Sequence, residues 1–359
     1  MARYLNELNI QSFRGIKNLQ LTDFNDINLL TGDNNCGKTS VLEVINYLSG
    51  VTDLRNLIYG SRRMMSSGSV IRDLTEYERL SFVFPVDENK ISYSFLLDNQ
   101  PHHVDISKSE SIETLNKNDI KELNFRVHLS NEDEVIDVKK MKLNFDVDGL
   151  KEEKFFYDFS RSSYSNSQSS HFIETLYVSP FKHVENIVNL NKILNNPDLY
   201  EEMLEVLKEF DEGILSLNIS TLSETSHSRV VTVLSKEHNQ AIPLNFYGDG
   251  MKKAILLMSS VIVSENGILL LDEFETAIHT TAMEKVFEWI LKTCLKLNVQ
   301  LFLTSHSKEA IDKVLKCSED LKKYINLYTL YKSKERNLIR KLTCEEAIEA
   351  SDSFGLELR

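Results

Sequence analysis

The chain has 359 residues, with 41 basic against 54 acidic side chains for a formal charge of −13, and with 42% hydrophobic and 26% charged residues. That is ordinary globular usage, with apolar material for a sizeable core, and it excludes a mostly disordered chain. The negative sum excludes a protein that coats nucleic acid by bulk electrostatics, so any DNA contact must come from a local basic face.

Length leaves room for one large or two ordinary domains. The opening MARYLNELNI lacks the basic and continuously apolar regions of a signal peptide, so a cytoplasmic protein is expected. Cys36, Cys294, Cys317 and Cys344 are widely spaced, with no pattern for a zinc site or a disulfide framework, and read as reduced thiols. The apolar stretch Ala254 to Leu271 is interrupted by Ser259, Ser260, Ser264, Glu265, Asn266 and Gly267. It reads as a buried helix, a turn and a buried strand, with no membrane span.

In chain order, Tyr4 to Ser12, Asn18 to Leu21 and Ile27 to Leu30 predict strands, the third running into a glycine turn. Thr39 to Leu48 predicts a helix, with Val41, Leu42, Val44, Ile45 and Leu48 forming an apolar stripe and Gly50 as a stop. From Leu80 to Val178, the segments ERLSFVFPV, KISYSFLL, ELNFRVHL and KLNFDVDGL predict an antiparallel β region. The serine-rich run at residues 162–170 predicts a surface loop. Val184 to Leu217 predicts helix, with a turn at Asn195 to Pro197 that starts a new one. A helix from Gly250 to Val263, a strand over Ile268 to Leu271, a helix from Thr281 to Leu297 and a strand over Val299 to Thr304 complete the pattern. The two aliphatic strands suit a parallel sheet covered on both faces. The fold class is therefore α/β: residues 1–80 and 240–359 form a composite nucleotide-binding core, 81–178 a β-rich insertion, and 179–239 a helical segment and return strand.

Gly32, Asp33, Asn34, Asn35, Cys36, Gly37, Lys38 and Thr39 match G-x-x-x-x-G-K-[ST] between a predicted strand and a predicted helix. In that setting the glycines let backbone N–H groups and the helix N-terminus face a phosphate, Lys38 reaches the β- and γ-phosphates, and the Thr39 hydroxyl ligates Mg²⁺. Ile268 to Leu271 deliver Asp272 and Glu273 to the end of a strand. Asp272 is the expected metal carboxylate, and Glu273 the group that orients or activates water. Thr304, Ser305, His306 and Ser307 end the next strand, where His306 could touch the γ-phosphate or the attacking water. All three lie at carboxyl ends of strands, where open parallel sheets bind ligands.

These residues together resemble the ABC-type ATPases of the SMC, RecF and OLD group. Gly32 to Ser40 is similar to its G-x-N-x-x-G-K-[ST]-S, with Asn34 at the asparagine, and Ser305 and His306 resemble its switch histidine. Tyr247, Gly248, Asp249, Gly250 and Met251 resemble a signature loop, with Asp249 and Met251 in place of the third and fifth residues of LSGGQ. Ser12, Phe13, Arg14 and Gly15 are similar to the family opening whose arginine lies near nucleotide, an exposed surface arginine being the alternative. The resemblance implies an ABC-type P-loop head with an antiparallel β subdomain and a helical insertion. It also implies ATP and Mg²⁺ as cofactors, and a dimer or higher homo-oligomer in which Gly248, Asp249 and Gly250 of one head close on the ATP of another.

Glu275 and His279 complete D-E-x-E-x-x-x-H, which resembles OLD-type and related anti-phage defence ATPases. As residues, the two also fit a solvent-exposed i,i+4 helix pair without a metal. Only 53 residues follow His306, too few for the TOPRIM domain of OLD nucleases, so any nuclease is expected on another chain. The absence of long heptads disfavours an SMC-style arm. The resemblance to the ATPases of PARIS-type systems implies a sensor or scaffold ATPase controlling a separate effector, such as a TOPRIM-like nuclease, with DNA or a phage protein as trigger. A RecF-like repair clamp on DNA is the alternative.

Overall fold

The computed structural model describes residues 4–59, 74–116, 119, 135–158, 170–180, 182, 190–221, 229–238, 240–278, 280–333 and 336–354. The N-terminal strands β1 (Leu5–Phe13) and β2 (Ile16–Leu21) form an antiparallel hairpin, and β3 (Ile27–Gly32) follows, buried along its whole length. After the glycine turn comes α1 (Lys38–Tyr47), and later α2 (Glu76–Ser81).

Here the structure corrects the sequence. ERLSFVFPV was expected as a strand, yet its first half is helical. Thr75 accepts the Glu78 backbone N–H while Glu78 accepts that of Thr75, a capping box that starts α2 and puts Tyr77 and Leu80 on its buried side.

Strands β4 (Lys90–Leu97), β5 (Gln100–Leu115), β6 (Ile136–Val147) and β7 (Leu150–Tyr157) extend the N-terminal hairpin into one antiparallel sheet, ordered β2-β1-β4-β5-β6-β7. The expected boundary at residue 80 therefore cuts through a sheet. Residue 178 also parts strands of one sheet, because β8 (Thr175–Val178) belongs to the core sheet rather than to this one. Alternation marks a strand but does not say which sheet it joins. ELNFRVHL and the serine run up to residue 169 lie outside the described residues.

The helix α3 (Pro197–Leu207) begins as expected, with Asn196 capping Leu199 N, Pro197 at the first turn and Asp198 beside the positive helix end. The helix expected to reach Leu217 stops well short of it. Asp211 accepts the Gly213 N–H in a tight turn, and the following alternation forms β9 (Ile214–Thr221), paired with β10 (Arg229–Ser235). With β11 (Ile242–Pro243) they make a three-stranded sheet, where a single return strand was expected.

The last third builds the core: α4 (Asp249–Val263), β12 (Ile268–Leu271), α5 (Thr280–Lys296), β13 (Gln300–Thr304), α6 (Lys308–Leu315), β14 (Ile325–Ser333), β15 (Arg336–Thr343) and α7 (Cys344–Phe354). The core sheet is ordered β15-β14-β3-β13-β12-β8, parallel except for the edge strand β15. Its strands alternate between two apolar clusters. Leu269, Leu271, Leu301 and Leu303 join α4 and α5 on one face, whereas Ile268, Leu270 and Phe302 join α1 and the antiparallel sheet on the other. Burial on both faces is why β12 reads as an unbroken aliphatic run and β13 as apolar from Leu301 to Leu303. No helix among the described residues is long and apolar enough to cross a membrane.

Candidate nucleotide-hydrolysis site

The adjacent parallel strands β3, β13 and β12 all end at the same edge, which gathers residues from three distant parts of the chain. At the end of β3, Gly32 (φ 128) and Gly37 (φ 110) take conformations that L side chains rarely adopt. A Cβ on Gly32 would lie 2.2 Å from the Leu330 carbonyl oxygen of β14, so glycine is required there by space as well. Asp33, Asn34 and Asn35 are exposed, Cys36 is buried, and Lys38, Thr39 and Ser40 open α1.

The Lys38 ammonium is folded back over this loop. It donates to the carbonyls of Gly32 at 2.6 Å and Asp33 at 2.9 Å, and lies 3.4 Å from His306 Nδ1. Burial pushes its pKa below the ordinary lysine value, while Cys36, Asp272 and Glu273 favour its charge.

Asp272 is 1% exposed. Its carboxylate accepts from Thr304 Oγ1 at 2.6 Å, Tyr177 OH at 2.9 Å and, with both oxygens at 3.3 Å, from Thr39 Oγ1. The Thr39 hydroxyl beside the Asp272 carboxylate is an oxygen-only donor pair of the kind Mg²⁺ takes alongside phosphate oxygens and water.

The same Thr304 hydroxyl accepts the Glu273 backbone N–H at 2.8 Å, holding Glu273 at φ 43. Such a conformation costs of order 1–3 kcal/mol and persists only where the surroundings enforce it. Glu273 Oε1 sits 3.8 Å from His306 Nε2, which completes a line of Lys38, His306 and Glu273. Burial, and secondly the Lys38 charge, hold the His306 pKa below 6.5.

Residues 27–312 match the family described as "AAA domain, putative AbiEii toxin, Type IV TA system". The chain belongs to this family. It is an ATPase of the AAA/ABC type, and its fold is that of an ABC-type P-loop ATPase head. This AAA-domain chain is 24% identical to an ATP/GTP phosphatase of Helicobacter pylori over 343 residues, 86% of each chain. A segment of 85 residues is 36% identical to the DNA replication and repair protein RecF of Oenococcus oeni, covering 23% of this chain and 22% of that one. In fold it is similar to an SMC head solved bound to the C-terminal winged-helix domain of ScpA. The TM-score is 0.55 at 10% identity, over 96% of this chain and 99% of that one.

The AAA-domain core leaves some expected residues outside the cluster. Gly248 and Asp249 are exposed at the start of α4, where Asp249 pairs with Lys252 at 2.6 Å and the neighbouring Phe246 is 81% exposed. Gly250 is packed inward, with the Ala277 carbonyl oxygen 3.1 Å from where its Cβ would be. Arg14 is not the exposed arginine that the sequence left open. Its guanidinium is 2.7 Å from Glu43 Oε2 with both side chains buried, tying the β1–β2 turn to α1.

Glu275 departs from the solvent-exposed pair. Its Oε1 accepts from Ser305 Oγ, the His306 N–H and the Ser307 N–H at 2.9, 3.2 and 3.3 Å. His279 lies outside the described residues. Sequence reasoning missed Lys253 altogether. It is fully buried on α4, donates to the Pro180 carbonyl at 2.9 Å, and has its pKa pushed down to about 8 by burial against the pull of Glu275, Asp272 and Glu273. A lysine within an apolar helix run was the available signal.

Proposed function

We propose that this ATPase acts through Glu273 as the group that takes a proton from the attacking water and His306 as a partner to the γ-phosphate. Residues Gly32 to Ser40 would cradle the phosphates. The observation that carries this reading is the unbroken line Lys38, His306 and Glu273, with spacings of 3.4 and 3.8 Å, beside the Thr39–Asp272 pair. Lys38 would exchange its two loop carbonyls for phosphate oxygens, a stronger, charge-assisted pairing. Thr39 and Asp272 would hold Mg²⁺, which neutralises charge between the β- and γ-phosphates when bound.

The exposed Gly248 and Asp249 at the start of α4, with Gly250 packed beneath them, are suited to meet the nucleotide of another copy. We therefore assign the working unit as a dimer or higher homo-oligomer closed around ATP. In the cell we assign it to the cytoplasm, as the sensor or scaffold subunit of an anti-phage system. There it would control a separate effector, of which a TOPRIM-like nuclease is one class, in response to DNA or a phage protein. The family description as a type IV toxin–antitoxin component supports this role. The local similarity to RecF favours a second reading, a repair clamp that closes on DNA.

The test is the rate of phosphate release and the solution mass of Glu273→Gln, without nucleotide and with Mg-ATP. Release at the parental rate would overturn the assignment of Glu273. An assembly larger than a dimer in both conditions supports the scaffold, whereas a monomer that dimerises only with ATP supports the clamp.

A further inference from the structure

Beyond residue 312, where the family match ends, the β14–β15 hairpin contributes a side chain to the phosphate loop. Asn337, on β15 and 8% exposed, donates from Nδ2 to the Cys36 carbonyl at 3.1 Å and accepts the Lys17 backbone N–H on Oδ1 at 3.2 Å. The two bonds use opposite ends of one amide, so they fix its orientation.

From this geometry we infer that Asn337 is a positioning residue for nucleotide binding, acting through the peptide between Cys36 and Gly37. That peptide is planar and trans, so its carbonyl and its N–H point in opposite directions. By holding the Cys36 oxygen toward β15, Asn337 turns the Gly37 N–H the other way, into the cradle that the loop offers an anion. Gly37 at φ 110 has no Cβ to resist rotation of this peptide, so the orientation needs an external holder. The same hairpin supplies Leu330, whose carbonyl abuts Gly32 at the other end of the loop. Both glycines of the motif are thus set from the C-terminal hairpin. The inference rests on Gly32 to Ser40 being a phosphate loop, and its test separates the two ideas.

Cys36-Gly37 is the one Cys-Gly step in the sequence, so carbonyl-¹³C cysteine with ¹⁵N-glycine labelling isolates the Gly37 amide as a single resonance. In the full-length parent protein, Mg-ADP should move that amide proton downfield as it donates to a phosphate oxygen. In Asn337→Ala the shift should shrink, and the Mg-ADP and Mg-ATP dissociation constants should rise on the order of tenfold, the size of one lost orienting hydrogen bond. The kcat at saturating ATP should change far less. Asn337→Asp, nearly isosteric, keeps an acceptor for Lys17 but turns an oxygen on the Cys36 carbonyl. It should bind no better than Asn337→Ala in high salt, whereas a purely structural role would make it the milder change. It also serves as the measured variant if the alanine protein does not fold. Parental affinity and a parental Gly37 shift in the Asn337 variants, with binding lost in Lys38→Ala, would overturn the inference alone. Parental binding by Lys38→Ala would overturn the phosphate-loop reading and this inference with it.

Discussion

Glu275 holds His306 by its backbone: one carboxylate oxygen accepts the N–H of His306, the N–H of Ser307 and the hydroxyl of Ser305. The histidine ring is thereby free to face Lys38 and Glu273 while its main chain is fixed from β12's side of the site. Glu275→Ala removes three acceptor contacts at once and should lower kcat about tenfold or more, with ATP affinity little changed. Glu275→Gln keeps one acceptor oxygen and should recover part of the loss. Steady-state turnover and equilibrium binding on the same preparations check both; equal loss of affinity and turnover would mean that Glu275 supports the whole loop rather than the histidine.

Lys38→Ala should remove most ATP affinity, on the order of a hundredfold, while leaving the fold intact. The buried ammonium already stands at a desolvation cost, seen in the direction of its pKa shift, and its loss leaves two loop carbonyls without that donor. These effects oppose each other, so the thermal midpoint should move by only a few degrees. Calorimetric titration with Mg-ATP and a melting curve are the two measurements. Unchanged affinity would remove Lys38 from the phosphate site.

Glu273→Gln should bind Mg-ATP like the parent and turn over about 10²–10⁴-fold more slowly, the range a positioned general base supplies. Its backbone at φ 43 is held by Thr304, so the amide should keep the conformation of the acid. Single-turnover phosphate release is the measurement, and it separates chemistry from product release.

The α/β class and the assembly of the core sheet largely from both ends of the chain were legible, because the aliphatic run Ile268–Leu271 and the apolar stretch Leu301–Leu303 mark strands covered on both faces. Within the candidate site, Lys38, Thr39, Asp272, Glu273 and His306 were legible from spacing against predicted strand ends, and the fold brings them together. Glu275 was misread because a carboxylate four residues before a histidine also fits a helix surface. Nothing local says that the Ser305–Ser307 turn, thirty residues on, will present two N–H groups to it. Lys253 and Asn337 were missed for a related reason. A buried lysine and a strand asparagine acquire meaning only from the carbonyls they meet, at Pro180 and Cys36. Which sheet the strands on either side of residues 80 and 178 would join was hidden by the same limit, since strand pairing is non-local.

His306 gives the site a pH dependence of defined sign. Burial and then Lys38 hold its folded pKa below 6.5, so the ring is neutral at pH 7. As pH falls, the unfolded chain takes up the proton first. This group's contribution to stability is therefore fully present above 6.5 and declines between 6.5 and the lower folded value. With kcat measured at saturating Mg-ATP, an acid limb should lie below pH 6.5 in the parent and be absent from the residual activity of His306→Asn. An acid limb that persists unchanged in that variant would assign the titration to another group.

Gly32 and Gly15 should respond oppositely to the same substitution. At Gly32 an added methyl meets the Leu330 oxygen at 2.2 Å in a backbone conformation of φ 128, between two hydrogen-bonded core strands. Neither β3 nor β14 can move without breaking the ladder they share, so Gly32→Ala should cost roughly 4 kcal/mol or more. At Gly15, in the β1–β2 turn, an added Cβ meets nothing within 4 Å. There Gly15→Ala should change stability by less than about 1 kcal/mol, with a sign set by the loss of unfolded-state freedom. Denaturant midpoints of the two proteins measure the contrast. A mild Gly32→Ala would mean that β14 does not press on the phosphate loop as the structure has it, and would weaken the case for control of that loop by the C-terminal hairpin.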